Sequence, residues 1–493
     1  MALRPVPPAT TVATAPEALA LTVRADIAEL AAASDSLDAT RKALPEGGAG
    51  AWFVGGAVRD LLLGIPVTDV DIAVSGDSRA IARELHRSLG GDIFSLSDRF
   101  GTWRVHAGPG FQIDVSGLRG ATIEEDLSHR DFTVNAMALS AVGEDLIDPY
   151  GGEPDVHRKL LRLVAERAYD DDPLRPLRLP RLAAVLGFEI DEDTADATRR
   201  HASRVTEPAA ERVFAELRGL IGSDGALRGM RLLDELGLTA TVLPELEALK
   251  GIDQSVYHHL DAYEHTLEVL ERTIELERTD YAVFGDHAAG VKALLAEDLG
   301  DELSLAGGLR WAALLHDIAK SETRVEMPDG RIGFPGHDSR GAEMARAICK
   351  RLNTSQRFSQ YIAALTRHHL RLGFLVNRQP LPRHELYGYL KTTEPVEVEV
   401  GVLSVADRMA TRGRKSDDAI RAHVELAVLI TDAALDFRNN PLPPLLRGNE
   451  LADALGIKPG PGLGELLERI AEAQFVGEVS SADEAVALAR ASL

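Results

Sequence analysis

Asp69 and Asp71 stand two residues apart inside Val67–Val74, a β-branched, strand-like run. A strand turns every second side chain to the same face, so both carboxylates project together. Paired in that way, they could hold divalent cations against a triphosphate. Upstream, the apolar run Ala51–Val54 meets Gly55-Gly56, and a helical pattern, Ala57–Leu63, follows. Glycines let backbone come close to phosphate oxygens, and a helix start adds unpaired N–H groups and a positive dipole end. The gap from Gly56 to Asp69 is the one expected if loop and carboxylates meet at one site. The competing reading is a plain βα turn followed by an acidic strand.

Gly55-Gly56-x-x-Arg59-Asp60 with Asp69-x-Asp71 resembles the head of class II tRNA nucleotidyltransferases and bacterial poly(A) polymerases, within the polymerase-β-like nucleotidyltransferase superfamily. The resemblance implies an α+β fold: a head with a mixed sheet and flanking helices, then an all-helical neck, an HD domain and a helical tail. It implies transfer of a nucleoside monophosphate from NTP to an RNA 3′-OH with release of pyrophosphate, two Mg²⁺ on Asp69 and Asp71, and Gly55, Gly56 and Arg59 at the nucleotide. This superfamily draws a third carboxylate from a later strand. Asp114, in the strand-like Gln112–Val115, is the candidate, with a plain surface aspartate as the alternative.

Two further stretches extend the resemblance. His129-Arg130-Asp131-Phe-Thr-Val-Asn135-Ala is similar to the family's Arg-Arg-Asp-Phe-Thr-x-Asn-Ala motif, with His129 in place of Arg. Arg130 would neutralise phosphate charge, for which a planar fork is suited. Asp131 and Asn135, read as four apart on a helix, would meet the ribose hydroxyls. Asp171-Asp172-Pro-Leu-Arg175-Pro-Leu-Arg178-Leu-Pro180-Arg181 resembles the Glu-Asp-x-x-Arg-x-x-Arg-x-x-Arg signature, with Asp at the first position. Cytosine and adenine both carry an exocyclic amine beside a ring nitrogen acceptor. Asp172 can accept from the amine while Arg175 donates to the ring nitrogen, whereas guanine and uracil reverse that pattern. Arg178 and Arg181 continue the same helix face. Pro180 is expected to remove a helical hydrogen bond and bend that helix. Glu211-Arg212-Val-Phe-x-Glu216 reads as a structural, ion-paired helix.

The elements that must position these groups follow from patterning. Residues 1–18 read as a disordered tail, and 19–45 as an amphipathic helix opening the head. Strand-like runs Ala51–Val54, Asp69–Val74, Thr102–His106, Phe111–Val115 and Met137–Val142 alternate with helical patterns to about residue 155. A helical neck occupies 156–252, the HD domain 253–437, and a tail 438–493 begins at the linker Arg438-Asn-Asn-Pro-Leu-Pro-Pro444. The tail reads as two helices joined by a Gly/Pro loop near Gly456–Gly464, able to offer backbone N–H groups to RNA phosphate.

His316-Asp317, in Leu-Leu-His-Asp-Ile-Ala-Lys320, resembles the HD-domain metal motif, with His265 upstream and His337, His368-His369 and Asp407 downstream. The ordered set His265, His316, Asp317, His337, His368 and Asp407 suits one or two transition metals such as Mn, Ni, Fe or Co. His369 is the alternative to His368, since neighbouring helical positions face different ways. Lys320 reads as an exposed lysine, with a phosphate contact as the alternative.

Composition sets the bounds. The chain of 493 residues is long enough for several domains, and its single cysteine, Cys349, excludes an intrachain disulfide and fits a reducing cytoplasm. No apolar run reaches membrane-spanning length, and no signal-peptide core precedes the head. A net charge of −23 argues against a broad electrostatic grip on nucleic acid, although a local patch would suffice. The leading reading is a tRNA nucleotidyltransferase that adds CCA from CTP and ATP. Alternatives are a poly(A) polymerase or a CC-only or A-only enzyme, an HD-type metal-dependent phosphohydrolase, and a non-catalytic RNA-binding or assembly protein.

Overall fold

The computed structural model describes residues 31, 34–97, 101–108, 110–143, 146–254, 260–411 and 416–493. The expected tail 1–18 and the first part of the expected helix 19–45 lie outside them. The chain forms two compact units: residues up to Asp171 together with Phe188–Thr194, and Asp172–Gly187 together with Ala195–Leu493.

The first unit is built on a seven-stranded mixed sheet. Its strands are β1 (Ala51–Val54), β2 (Asp69–Val74), β3 (Asp92–Ser97), β4 (Thr102–Gly108), β5 (Phe111–Gly117), β6 (Ala138–Ser140) and β7 (Leu146–Ile147), in the spatial order β3-β4-β5-β2-β1-β6-β7. Within this sheet, among the described residues, only β2 and β5 pair in parallel; its other ladders are antiparallel. Alternation drives the layering. Val70, Ile72, Ile113 and Val115 are buried on the face opposite Asp71 and Asp114. Helix α3 (Ser78–Leu89) packs against β4 and β5 and buries Ala82 and Leu85. It starts where Asp77 Oδ1 accepts from the Arg79 and Ala80 N–H groups at 2.9 and 3.3 Å, satisfying donors that a helix start leaves open. On the aspartate face, Val54, Ala73 and Ala138 pack with Ile123 and Leu127 of helix α4 (Ile123–Ser128). Helices α1 (Asp35–Ala43) and α2 (Gly56–Leu62) complete the flanks. The strands β3 and β7 were not expected from the sequence. In β3, Phe94 and Leu96 are more than 40% exposed on an edge strand, so its pattern lacks a buried apolar face.

The second unit is helical apart from short two-stranded ribbons. Helix α5 (Arg175–Leu186) runs unbroken through Pro180, which is buried. Pro180 offers no N–H to the Pro176 carbonyl, so one helical bond is forfeited while packing holds the rest. Helix α6 (Ala210–Ile221) lies against α5. Then come α7 (Ala262–Arg278), α8 (Leu305–Leu315), α9 (His337–Arg351), α10 (Gln356–His368), α11 (Arg383–Thr393), α12 (Glu397–Ala410) and α13 (Ser416–Asn439). In the tail the expected pair, α14 (Gly448–Leu455) and α15 (Pro461–Val476), is joined through the Gly456–Gly460 loop, and a third helix, α16 (Ala482–Ala491), follows; they pack around Leu451, Leu463, Leu466, Ile470 and Ala485.

Candidate active site and metal centre

In the head, sheet register assembles the acidic row. Asp71 pairs with Asp114 across the parallel β2–β5 ladder, and Asp114 pairs with Arg104 across the antiparallel β4–β5 ladder. Directly paired residues share a face, so Asp69, Asp71, Asp114 and Arg104 all project together. Arg104 donates to Asp114 through Nε and Nη2, each at 2.7 Å. The Asp114 hydrogen bond, with the charges of Asp114, Asp69 and Asp71, outweighs burial and raises the Arg104 guanidinium above its usual range.

Gly55, at φ +69°, brings the loop against this row. A Cβ there would lie 3.0 Å from Arg130 Nη1 and 3.1 Å from Asp71 Oδ2. Arg130 in turn donates from Nε and Nη2 to Asp126 Oδ2 at 3.2 and 3.1 Å. Arg59 joins the two head motifs: Nη1 donates to Asn135 Oδ1 at 2.7 Å, and Asn135 Nδ2 donates to Asp131 Oδ1 at 3.1 Å. Asp131 and Asn135 do not share an α-helix as expected. Helix α4 ends at Ser128, and Thr133–Asn135 forms a single 3₁₀ turn, because Asp131 Oδ1 captures the Phe132 N–H and starts a local turn. Gly56 has its Cβ position 3.4 Å from Arg59 Nη2, and His129 Nδ1 lies 3.1 Å from Asp171 Oδ2.

In the neck, Asp172 Oδ2 accepts from Arg212 Nη2 at 2.6 Å, and Asp172 Oδ1 accepts from the Leu174 N–H at 3.2 Å. Burial pushes the Asp172 carboxyl up, but Arg212, the Leu174 N–H and Arg175 together more than offset it, so its pKa is lowered. Arg175 is 5% exposed. Arg178 and Arg181 both turn to Glu216, so the arginine face of α5 and the Glu211–Glu216 stretch of α6 form an ion-paired helix pair.

Farther along, one buried centre collects five of the six expected HD ligands. Asp317 Oδ2 lies 3.0 Å from His316 Nε2 and 3.7 Å from His265 Nε2; its Oδ1 lies 3.3 Å from His337 Nε2 and 3.7 Å from His369 Nε2. Asp407 Oδ1 is 3.0 Å from His265 Nε2. The sixth residue is His369, not His368. Helix α10 ends at His368, and the next residue turns inward, 1% exposed, while His368 stays half-buried beside Arg367 and Arg371. Lys320, expected on the surface, is 6% exposed with Nζ 2.5 Å from Asp317 Oδ2 and from Gln254 Oε1. Burial lowers the Asp317 carboxyl's tendency to ionise, yet His316, Lys320 and His337 hold its pKa well below the usual range. Burial and the His316 charge bring His369 down to about 4.

The donor set fits a metal. Nδ1 of His316, His337 and His369 faces the carbonyls of Ala313, Phe334 and Thr366 at 2.7–2.8 Å. A carbonyl only accepts, so Nδ1 carries the proton and Nε2 is turned to the centre. Those three Nε2 atoms are buried and, among the described residues, make no well-formed hydrogen bond. Two ligand groups, His265–His316–Asp317 and Asp317–His337–His369, share Asp317, and each has its donor atoms within 4.8 Å of one another. A cavity of about 500 Å³ opens beside them, lined by Lys320, Phe334, Asn377, Arg408 and His423 among others.

Sequence reasoning missed Arg104 and the Arg212 contact to Asp172. Both depend on pairings between distant segments, and no local motif announces them.

Comparisons with known proteins agree with this layout. Family profiles match residues 51–162 as a poly A polymerase head domain, 187–250 as a probable RNA and SrmB-binding site of polymerase A, and 284–412 as an HD domain. The chain is 38% identical over 451 residues to the A-adding tRNA nucleotidyltransferase of Deinococcus radiodurans, covering 90% of this chain and 96% of that protein. It is 36% identical over 445 residues to the CC-adding tRNA nucleotidyltransferase of Thermus thermophilus, covering 88% and 92%. Among solved structures, the Thermotoga maritima CCA-adding enzyme complexed with tRNA shares the fold, with a TM-score of 0.60 at 22% identity over 96% of this chain and 100% of that one. Among the described residues, no helix is long and apolar enough to cross a membrane.

Proposed function

Since the chain belongs to the tRNA nucleotidyltransferase family and is a nucleotidyltransferase, we propose that it builds the 3′-CCA end of tRNA from CTP and ATP without a nucleic-acid template. The observation that carries the reading is the row Asp71–Asp114–Arg104 with Asp69 on the same face and Gly55 against it. We divide the chain into a head (19–155), a base-selecting neck (156–252), an HD domain (253–437) and a tail (438–493), acting in the cytoplasm.

Asp69 and Asp71 would hold Mg²⁺, which supplies Lewis-acid polarisation of the α-phosphate and neutralises the departing pyrophosphate. The chain's own residues do the rest by positioning and charge. Asp114, oriented by Arg104, accepts the proton of the RNA 3′-OH as the new 3′-O–P bond forms and the bond to pyrophosphate breaks. Gly55 and Gly56 let main chain approach the triphosphate, and Arg130 offsets its charge. The Arg59–Asn135–Asp131 chain orients the ribose. Asp172 accepts from the exocyclic amine of cytosine or adenine while Arg175 donates to the ring nitrogen; guanine or uracil would leave both unpaired. Arg178 and Arg181 support that pair through Glu216.

A second reading, addition of A alone or CC alone, is favoured by the two relatives named for those partial activities. Sequencing the products made on tRNA lacking CCA, or ending in CC, with CTP and ATP singly and together, decides between them. CCA formed only with both nucleotides supports the first reading. A single A on the CC-ended tRNA, with no C added to either, selects the A-only enzyme.

The HD centre supports a separate activity, hydrolysis of a phosphoester. Mn, Ni, Fe or Co held by His265, His316, Asp317, His337, His369 and Asp407 would supply a polarised water. Lys320 and Arg408 in the adjoining cavity would receive the phosphate. Asp317→Asn should abolish phosphatase turnover and leave nucleotide addition intact, and Asp69→Asn the reverse.

A further inference from the structure

Apart from the HD centre, helices α11, α12, α13 and α15 of the second unit enclose a cavity of about 440 Å³ that none of the chemistry above uses. Tyr387, Phe437 and Phe475 wall it, with Phe475 5.2 Å from Tyr387 and 6.3 Å from Phe437 between ring centroids. Glu397, only 2% exposed, lines the same space. Its Oε2 has no hydrogen-bond partner among the described residues. The nearest cation is Arg438, whose Nη1 lies 3.9 Å from Glu397 Oε1 but 3.2 Å from Oε2 of a second buried carboxylate, Glu399. Lys391, the other cation on the wall, is committed to Glu394 at 2.9 Å. Three carboxyl groups, those of Glu394, Glu397 and Glu399, thus share two cations.

A buried carboxylate without a full partner is costly, and a cation placed against it relieves that cost. The dimensions say which kind. A water-sized ion would use roughly 30 Å³, a small part of this space. Aromatic faces favour an alkylammonium or guanidinium over a hydrated metal ion. Phe475 already carries the Arg383 guanidinium at 5.4 Å from its centroid.

We propose that this cavity binds a small aliphatic polyamine, with one ammonium on Glu397 Oε2 and its methylene chain along Tyr387, Phe437 and Phe475. The site is independent of the nucleotidyltransferase reading.

Calorimetric titration of the full-length protein with spermidine, in about 0.15 M salt to screen diffuse attraction to an acidic surface, tests it. Saturable binding at one site is expected, weakened at least about tenfold by Glu397→Gln and by Ala471→Phe, which fills the cavity without altering a carboxylate. Circular dichroism establishes that both variants are folded. Three results would each overturn the proposal: no saturable binding, equal binding by wild type and both folded variants, or displacement of spermidine by an equal concentration of Mg²⁺.

Discussion

Arg104 grips both oxygens of Asp114, Nε to Oδ1 and Nη2 to Oδ2 at 2.7 Å each, across the β4–β5 ladder. A charge-assisted, two-point contact of that kind fixes a carboxylate in angle as well as distance. Arg104→Met should therefore lower single-turnover nucleotide addition about ten- to a hundredfold with a smaller change in nucleotide KM. Combined with Asp114→Asn it should cost little more than either change alone. Losses that multiply in this cycle would show that the two residues act separately.

Gly55→Ala tests the approach of the loop. The residue sits at φ +69°, and the added methyl would press on Arg130 Nη1 and Asp71 Oδ2. At φ +69° and ψ −134° the backbone lies in a region nearly reserved for glycine, which costs another residue about 1–3 kcal/mol. Thermal stability should fall modestly while addition of both CMP and AMP falls much further. Proportionate losses would mean that the glycine serves only the fold.

Arg212→Met removes the guanidinium that holds Asp172 Oδ2 at 2.6 Å. Asp172 would lose its aim and the main charge that offsets its burial. Incorporation of UMP or GMP relative to CMP and AMP should rise about tenfold, measured by competition between nucleotides. Unchanged fidelity with a lower overall rate would assign Arg212 to the framework instead.

The HD centre makes a prediction about neighbours. His369→Ala should reduce bound transition metal at least about tenfold in affinity, and His368→Ala should leave it near wild type, by metal analysis after dialysis. The reverse result would mean that α10 ends differently in solution.

Glu399 gives a pH test of stability. Burial pushes its carboxyl up to about 7 from an ordinary 4.5, against the opposing pull of Arg438; Glu397, Tyr361 and Tyr389 also face it. The folded chain keeps a proton that the unfolded chain has lost, so stability falls as pH rises from 4.5 to 7 and levels off above. Glu399→Gln lacks that loss. Urea unfolding across this window should show the variant gaining on wild type by up to roughly 3 kcal/mol. A gap independent of pH would contradict the raised carboxyl.

The sequence was informative where chemistry is local. Gly55-Gly56 and Asp69-x-Asp71 are legible because a positive-φ turn and a two-residue period each need only neighbouring residues. Asp114 was within reach as the acidic member of a strand, but its companion Arg104 was not, since only sheet register puts the two side by side. The same limit explains Arg212, which reaches Asp172 from another helix. His368 and His369 differ by where α10 stops, a matter of packing rather than pattern. Asp131 and Asn135 were misread as helical because a four-residue spacing fits a 3₁₀ turn closed by a side chain equally well.

The parallel pairing of β2 with β5 carries one more implication. Slipping β5 by a single residue would send Asp114 to the opposite face and bring Ile113 or Val115 opposite Asp71. Such a slipped head could keep much of its hydrogen bonding and yet lose its acidic row. Nucleotide addition is therefore a sensitive reporter of strand alignment. Substitutions at Ile72, Ile113 or Val115, all buried on the face opposite the acidic row, should silence the protein before they unfold it.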